Sequence, residues 1–328
     1  MRGAAMQTDL KLREGTDLNL PRRKVWPVFK QQKYLFLLML PALIWAILFA
    51  YAPMAGLYMS FVNYQPTLGR FWYSLFHSEF VGLQWFRYFF NNGDFLIIMR
   101  NTLASTLITL LFSFPMPILI ALAINEIKNV QFKKIVQTSS YLPYFISWVI
   151  AANIIVTLLS SDGAVNALLK FFHLTDESIL FLQNGKYFWW IVALGNTWKD
   201  MGYSSIMYLA AISSINPELY EAAKVDGANR FKQIRYITFP HLKATIVILL
   251  ILAMGGILNA GFDQHFLLGN DLTKDYSDVL STYSFRYGIQ NGMFSYASAV
   301  GMFSSVVAFI IVVIVNQIAK KINGQSLF

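Results

Sequence analysis

The sequence predicts an all-α membrane protein with six transmembrane helices and with its N and C termini in the cytoplasm. Of its 328 residues, 56% are hydrophobic and only 13% are charged, and the mean hydropathy is +0.49. Several stretches reach the roughly 20 apolar residues that cross a bilayer. Each should be helical, because a spanning segment must satisfy its own backbone hydrogen bonds in lipid.

Six apolar segments carry this prediction, with ends defined to within a few residues. They are 35–62, 98–124, 136–159, 187–212, 244–262 and 298–318. Pro41 and Pro53 predict that the outer end of the first segment is kinked or lies at the interface. Pro115 and Pro117 predict a kink in the second, because proline removes a helical hydrogen bond.

The distribution of Lys and Arg gives the orientation. The tail 1–33, the loops 125–135 and 213–243 and the end after 318 hold 18 of them, whereas the loops 63–97, 160–186 and 263–297 hold 6. Both termini are therefore expected in the cytoplasm. The net charge of +9 is a topology signal and does not indicate nucleic-acid binding. The basic tail is expected to contact anionic lipid headgroups.

One outer stretch, residues 71–90, reads FWYSLFHSEFVGLQWFRYFF and is dense in aromatic residues. An interfacial aromatic belt is the favoured interpretation. A docking or sugar-stacking surface is the alternative. Composition alone does not separate the two.

Residues 215–240 read INPELYEAAKVDGANRFKQIRYITFP and concentrate charge in one cytoplasmic loop. Asn216 and Pro217 are typical of a helix start, so a helix is expected over about 217–226. Gly227 should end it in a sharp turn. A second helix is expected over about 229–239, with Pro240 stopping it before the next span.

This loop resembles the EAA loop of bacterial ABC importer membrane subunits. The shared pattern is Glu221-Ala222-Ala223, three residues, a glycine at 227, nine residues, then Ile237-x-Phe239-Pro240. Only Phe239 departs from the family pattern, which has leucine there. Residue types, spacing, topology and side of the membrane all agree.

The resemblance implies that the short helix is a coupling helix seated on a separate ATPase subunit. The coupling residues it implies are Glu218, Tyr220, Glu221, Ala222, Ala223, Asp226, Gly227 and Ala228. The sequence has no G-x-x-x-x-G-K-[ST] phosphate loop. The chain is therefore expected to be a non-catalytic permease that binds no cofactor, with ATP and Mg on the partner ATPase subunits.

The resemblance also implies domain organisation, location and partners. Residues 98–328 match the permease core of five helices, including the coupling loop 213–243, whereas 34–97 add a first helix and the aromatic outer loop to the basic tail 1–33. The expected location is the bacterial inner membrane. The expected partners are a second homologous membrane subunit, two ATP-binding cassette subunits, a periplasmic solute-binding protein and a saccharide.

The fourth span contains the candidate substrate pathway. Its residues NTWKDMGY resemble a pattern of maltose-type and other oligosaccharide importers, in which the Trp and the Tyr help to line the sugar site. Asn196, Trp198 and Tyr203 match that pattern. Packing between helices is an equally good interpretation of both aromatic residues.

Lys199 and Asp200 depart from the maltose-type pattern, which is uncharged there. Charges within a span face a cavity or a partner. Pairing of each with a neighbouring span is slightly favoured, and contact of Lys199 with an acidic sugar is the functional hypothesis. Asn259, in the fifth span, is a further candidate lining residue. Arg100 is expected to reach the headgroups.

Within the family, the chain is most similar to the subgroup that imports oligo- and polysaccharides. As a whole it resembles one membrane subunit of a bacterial alginate importer, which implies an acidic substrate. An ion-coupled secondary transporter, with Asp200 as its ion-coupling site, is the alternative function. A scaffold that carries nothing is the third.

Overall fold

The computed structural model describes residues 32–323. The predicted basic tail lies outside the described residues up to residue 31. The chain divides into a first unit ending at Ala55 and a second beginning at Gly56. In the first unit, helix α1 (Lys33–Ala46) contains Pro41 and continues as a π-helical turn, Ile47–Tyr51. A 3₁₀ helix, Ala52–Phe61, follows it. Pro53 is its second residue and has no backbone N–H to donate to an α-helical hydrogen bond.

The second unit is helical, and its first half contains α2 to α8. These helices are α2 (Phe71–His77), α3 (Gln84–Asn91), α4 (Asp94–Ser113), α5 (Pro115–Glu126), α6 (Val130–Tyr141), α7 (Trp148–Leu159) and α8 (Ala164–Phe171). Near Pro115 and Pro117, where a kink is predicted, α4 ends at Ser113 and α5 begins at Pro115, and the kink itself stays a prediction.

The second half contains α9 to α16. These helices are α9 (Gly185–Ser213), α10 (Pro217–Val225), α11 (Arg230–Gln233), α12 (Phe239–Gly255), α13 (Phe262–Leu268), α14 (Lys274–Ser277), α15 (Leu280–Phe285) and α16 (Phe294–Asn323). Two π-helical turns, Ile234–Thr238 and Arg286–Gln290, follow α11 and α15.

Five helical stretches of the described chain have the length and apolar composition needed to cross a membrane. They are Lys33–Phe61, Asp94–Glu126, Trp148–Phe171, Arg230–Gly255 and Phe294–Lys321. The predicted fourth span is helical as α9, whose 29 residues extend about 43 Å. Its sequence is less apolar than those of the other predicted spans. The helices α4, α5, α6 and α12 pack around it, so its polar side chains are sheltered from lipid.

Two predicted spans have different limits in the structure. The segment predicted as 136–159 is interrupted: a 3₁₀ turn, Leu142–Phe145, separates α6 from α7. Pro143 and the capping hydroxyl of Ser147, which accepts the Ile150 N–H at 3.4 Å, explain the break. The segment predicted as 244–262 is helical only to Gly255, and a turn follows in which the Gly256 N–H bonds the Ala253 carbonyl at 3.0 Å.

The aromatic stretch 71–90 has two environments. Phe89 is fully buried and packs with Tyr283 and Tyr296 in one hydrophobic core. Trp72 and Phe76 are more than half exposed. Part of the stretch therefore belongs to the hydrophobic core. For the exposed part, an interfacial aromatic belt and a docking or sugar-stacking surface both stay predictions.

Candidate functional site

The predicted coupling helix is α10, and its first residues explain where it begins. The Asn216 side-chain oxygen accepts the Glu218 N–H at 3.1 Å, so it satisfies a donor that the first turn leaves free. Pro217 occupies the first helical position, where no N–H is required. Glu218 lies at the positive end of the helix dipole. These local contacts fix the start of α10.

The end of α10 is a Schellman motif. The Ala228 N–H donates to the Ala223 carbonyl at 2.8 Å, and the Gly227 N–H donates to the Lys224 carbonyl at 3.1 Å. Gly227 has φ of +74°, and a Cβ added there would meet nothing within 4 Å. The turn therefore requires glycine for its backbone conformation and has room for a side chain.

The prediction that Pro240 stops the second helix is wrong. Residues Arg230–Gly255 form one continuous helical stretch, because the π turn Ile234–Thr238 precedes the proline. In that turn the Phe239 N–H bonds the Ile234 carbonyl, five residues back. The wider turn accommodates the proline ring, which would clash with a carbonyl of a regular α-helix.

Two contacts attach the loop to the rest of the protein. The Tyr220 hydroxyl is 2.9 Å from the hydroxyl of Thr238, which is 2% exposed. Arg230 forms an ion pair with Glu126 at the end of α5. The inner side of α10 is thereby held against the π turn, and the helix after it is linked to α5.

The opposite side of α10 is exposed within the described residues 32–323. Val225 is 88% exposed and Leu219 is 43% exposed. Exposed residues predicted to couple are Glu218, Glu221, Ala222, Asp226 and Gly227, whereas Tyr220, Ala223 and Ala228 are half-buried. An exposed helix face with acidic, small and apolar residues is suited to protein binding.

The six predicted pathway residues do not form one cluster. Asn196 and Lys199 are buried at 7% exposure, Trp198 and Asp200 are half-buried, and Tyr203 and Asn259 are exposed. Of the five on α9, Asn196, Lys199, Asp200 and Tyr203 are spaced i, i+3, i+4 and i+7 and share one side of the helix, whereas Trp198 lies on another, and their partners differ. Each is therefore described by its own contacts.

Asn196 connects α9 to α13. Its side-chain oxygen accepts a hydrogen bond from the Gln264 amide at 2.8 Å, and both residues are buried. Trp198, two residues further on, contributes to a cavity of about 500 Å³ that is lined mostly by apolar side chains of α7 and α9. Neither environment is that of a polar sugar site within the single chain.

Lys199 is occupied within the protein. Its ammonium donates to the Tyr144 carbonyl at 2.7 Å and lies 5.1 Å from the Tyr144 ring centroid and 5.8 Å from that of Trp148. Asp200 lies within electrostatic reach of Lys199. A buried ammonium requires such partners, because losing water without replacement is costly.

Tyr203 stacks on Tyr144. The ring centroids are 3.9 Å apart and the planes differ by 7°, while Tyr203 stays 41% exposed. Tyr203 also lines a recess with the hydroxyl groups of Ser113 and Ser204. This is the site among the pathway candidates that combines an exposed aromatic face with hydroxyl groups.

Asn259 lies in the turn after α12 and lines a second recess. Four serines of α15 and α16 share that recess, namely Ser281, Ser284, Ser304 and Ser305. Asn259 is exposed, and its side-chain oxygen accepts the Gly261 N–H at 3.3 Å. The recess can therefore offer hydrogen bonds to hydroxyl groups of a ligand.

No local sequence pattern pointed to Tyr144, Gln264 and His265, which contact the predicted residues or their helices. His265 is 2% exposed, with Nδ1 2.8 Å from the Gly261 carbonyl and Nε2 3.0 Å from the Ser105 hydroxyl. It lies on α13, outside the spans, and burial lowers its pKa to about 4. Such partners come from distant elements, so only the fold reveals them.

Arg100 has partners within the protein. Its guanidinium lies 5.7 Å from the Trp189 ring and 5.2 Å from the Tyr276 ring and donates to the Asp275 carbonyl. Stacking on two rings gives the cation partners within the protein. Arg100 is exposed and also contacts α9 and α14, so its reach to the headgroups stays a prediction.

Comparison with protein families decides the class of this protein. The family described as "Binding-protein-dependent transport system inner membrane component" matches residues 113–324. The chain belongs to this family. It is a non-catalytic, multi-pass permease of the inner membrane, and this assignment disfavours both the secondary transporter and the scaffold.

Full-length relatives agree with the family. Protein LplB of Bacillus subtilis is 39% identical over 98% of this chain and 100% of its own length. The polygalacturonan/rhamnogalacturonan transport system permease protein YteP of the same organism is 42% identical over 91% of each chain.

A solved structure has the same fold. It is a bacterial ABC transporter involved in the import of the acidic polysaccharide alginate, with a TM-score of 0.81 and 41% identity, covering 92% of this chain and 99% of that one. A second structure, with a TM-score of 0.82 and 40% identity, shows a bacterial alginate ABC transporter in complex with an alginate pentasaccharide-bound periplasmic protein. The fold is that of an ABC importer permease.

Proposed function

We propose that this permease is one membrane subunit of an ATP-driven importer that moves an acidic oligo- or polysaccharide, such as alginate, from the periplasm to the cytoplasm. The observation that carries the proposal is its full-length similarity, at about 40% identity, to subunits of systems for alginate and for polygalacturonan. Both polymers are chains of uronic acids. The substrate class common to them is an acidic polysaccharide.

The proposed assembly contains a second homologous membrane subunit, two ATP-binding cassette subunits and a periplasmic solute-binding protein. In this assembly the chain has six transmembrane helices and cytoplasmic termini. Residues 98–328 form the core, and residues 1–33 and 34–97 are additions to it. The excess of Lys and Arg in segments on one side supports this topology.

We place the contact with the ATPase on the exposed face of α10. This face carries exposed acidic and small side chains in the described structure, namely Glu218, Glu221, Ala222 and Asp226. Gly227 and Ala228 shape the turn beneath them, while Tyr220 and Ala223 face the protein. Movement of the ATPase subunits would reach the spans through the continuous helix Arg230–Gly255.

The coupling role is tested by Glu221→Lys in the purified complex. Glu221 is exposed, so its replacement leaves folding intact and reverses charge at the ATPase contact. We expect transport to fall more than tenfold and the ATPase to dissociate or lose coupling. Glu221→Gln, which keeps size and removes charge, is the control with a smaller effect. A complex with Glu221→Lys that retains full coupling would contradict the assignment.

For the substrate pathway we propose Tyr203 and Asn259 as lining residues. Tyr203 presents a half-exposed ring beside hydroxyl groups, and Asn259 faces a serine-lined recess. Trp198 stays a prediction, as do Asn196, Lys199 and Asp200 in their proposed contact with substrate. Their contacts within the chain leave less of each side chain available to a ligand.

Reconstitution tests the substrate class. The complete complex is placed in proteoliposomes, and its ATPase activity is measured with binding protein and with alginate, polygalacturonate or neutral malto-oligosaccharides of matched length. We expect stimulation by an acidic saccharide and little by the neutral ones. Stimulation by neutral saccharides alone would overturn the acidic substrate, and dependence on a proton gradient at constant ATP would overturn the mechanism.

A further inference from the structure

The break between α6 and α7 leaves backbone carbonyl groups without helical partners. Residues Leu142–Phe145 form a 3₁₀ turn, and the Ile146 N–H bonds the Pro143 carbonyl at 3.2 Å. Within an apolar environment, an unpaired carbonyl is costly. The Tyr144 carbonyl receives its hydrogen bond from the Lys199 ammonium at 2.7 Å.

Three residues of α9 contact the chain at or next to this break. Lys199 bonds Tyr144, Gly202 lies so close to Ser140 that an added Cβ would be 1.9 Å from its carbonyl oxygen, and Tyr203 stacks on Tyr144. Positions 199, 202 and 203 are spaced i, i+3 and i+4, so they share one face of the helix. The segment that connects α6 and α7 therefore packs against one face of α9.

Lys199 is the charged member of this surface. It is 7% exposed, and its ammonium lies near the rings of Tyr144 and Trp148 at 5.1 and 5.8 Å. A cation above aromatic rings in a water-poor site gains more than at a surface. Its removal would leave both the carbonyl and the Tyr144 ring less constrained.

We infer that Lys199 is a positioning residue, which holds the helix break so that Tyr144 stays stacked on Tyr203. The two rings, 38% and 41% exposed, together form a platform for the apolar faces of saccharide rings. The inference rests on the proposed saccharide import for the use of this platform. In this inference Lys199 acts through Tyr144, in place of the direct contact with an acidic sugar predicted from the sequence, and the experiments below distinguish the two.

The first experiment is a double-mutant cycle in the reconstituted complex, with alginate oligosaccharide uptake as the readout. Lys199→Met and Tyr144→Ala should each lower the maximal uptake rate about tenfold. The concentration of loaded binding protein that gives half-maximal rate should not change, because docking is elsewhere. The double variant should be no slower than Tyr144→Ala, because coupled residues are not additive.

Two conservative variants serve as matched controls. Lys199→Arg keeps a cation that reaches the carbonyl, and Tyr144→Phe keeps both the ring and the backbone carbonyl, so both should retain most of the uptake. If Lys199 contacted the carboxylate directly, Lys199→Met would raise the saccharide concentration needed for uptake, and its effect would multiply with that of Tyr144→Ala. That result would overturn the inference.

A second readout needs no saccharide. The chain has no cysteine, so Ile146→Cys, at a half-buried position in the break, can be labelled selectively with a maleimide. In the complete complex, Lys199→Met should speed labelling several-fold and Lys199→Arg should not. An unchanged rate would overturn the positioning role. Absence of saccharide-stimulated ATPase in the unmodified complex would instead count against the proposed function.

Discussion

The coupling loop and the central helix α9 each contain a glycine that the structure requires, but for opposite reasons. Gly227 has φ of +74° and open space around it. Gly202 lies within a regular helix, where a Cβ would be 1.9 Å from the Ser140 carbonyl oxygen. The loop is specified by local backbone conformation, whereas α9 is specified by what packs against it.

The largest effect is expected for Gly202→Ala. The new methyl group would overlap a backbone atom, so α6 and α9 must separate, at a cost of about 3 kcal/mol or more. Gly195→Ala is the matched control, because its Cβ would meet the flexible end of Ile155 at 2.9 Å. We expect the midpoint of thermal unfolding of the purified complex to fall strongly only for Gly202→Ala. Equal midpoints would show that α9 does not depend on this contact.

A second prediction concerns acid and the contact of α13 with α4. The pKa of His265 is lowered from 6.5 to about 4, so at pH between these values the unfolded chain binds a proton that the folded chain does not. Stability is therefore fully present above pH 6.5, falls as pH decreases through this window, and changes by about 3 kcal/mol in total.

The measurement for His265 is the unfolding midpoint of the complex from pH 7 to pH 4. His265→Gln, which keeps a hydrogen-bonding side chain and does not titrate, should lose less stability over this range. A parallel decline in both proteins would place the acid sensitivity at other groups.

The same contrast explains how much the sequence could reveal. Asn216, Pro217 and Gly227 act on their own backbone, so the start of α10 and its glycine turn were predictable from residue types. The prediction that Pro240 ends the helix was wrong, because the π turn before it removes the steric clash between the proline ring and a backbone carbonyl. Six apolar segments likewise predicted helices, but not the break at Pro143.

The pathway residues could not be placed in this way. Lys199 finds its partner 55 positions away at Tyr144, and Asn196 finds its partner 68 positions away at Gln264. The spacing of residues within α9 predicts which of them share a face of the helix. The elements that pack against each face are known only from the fold. The charge of Lys199 within a predicted span indicated that this residue would have a partner, but the sequence did not identify the partner.

A smaller effect is expected for Gly227→Val. A β-branched residue with positive φ costs about 1–2 kcal/mol, and the Schellman motif would loosen without a steric clash. We expect coupled ATPase activity to fall severalfold with a small change in the unfolding midpoint. Gly227→Asn should be close to the unmodified protein, since asparagine adopts positive φ readily. A large loss of stability for Gly227→Val would mean that the loop is packed as tightly as α9.

The smallest effect is expected where the loop meets α5. The side chains of Arg230 and Glu126 are 53% and 35% exposed, so water weakens their attraction and ordering two long side chains opposes it. A double-mutant cycle of Arg230→Gln and Glu126→Gln should give a coupling energy of about 0.2–1 kcal/mol that decreases with added salt. The quantity to measure is the shift in unfolding midpoint at low and at high ionic strength. A salt-independent coupling above about 2 kcal/mol would show that this pair is buried in the complex, and the loop would then depend on tertiary contacts as α9 does.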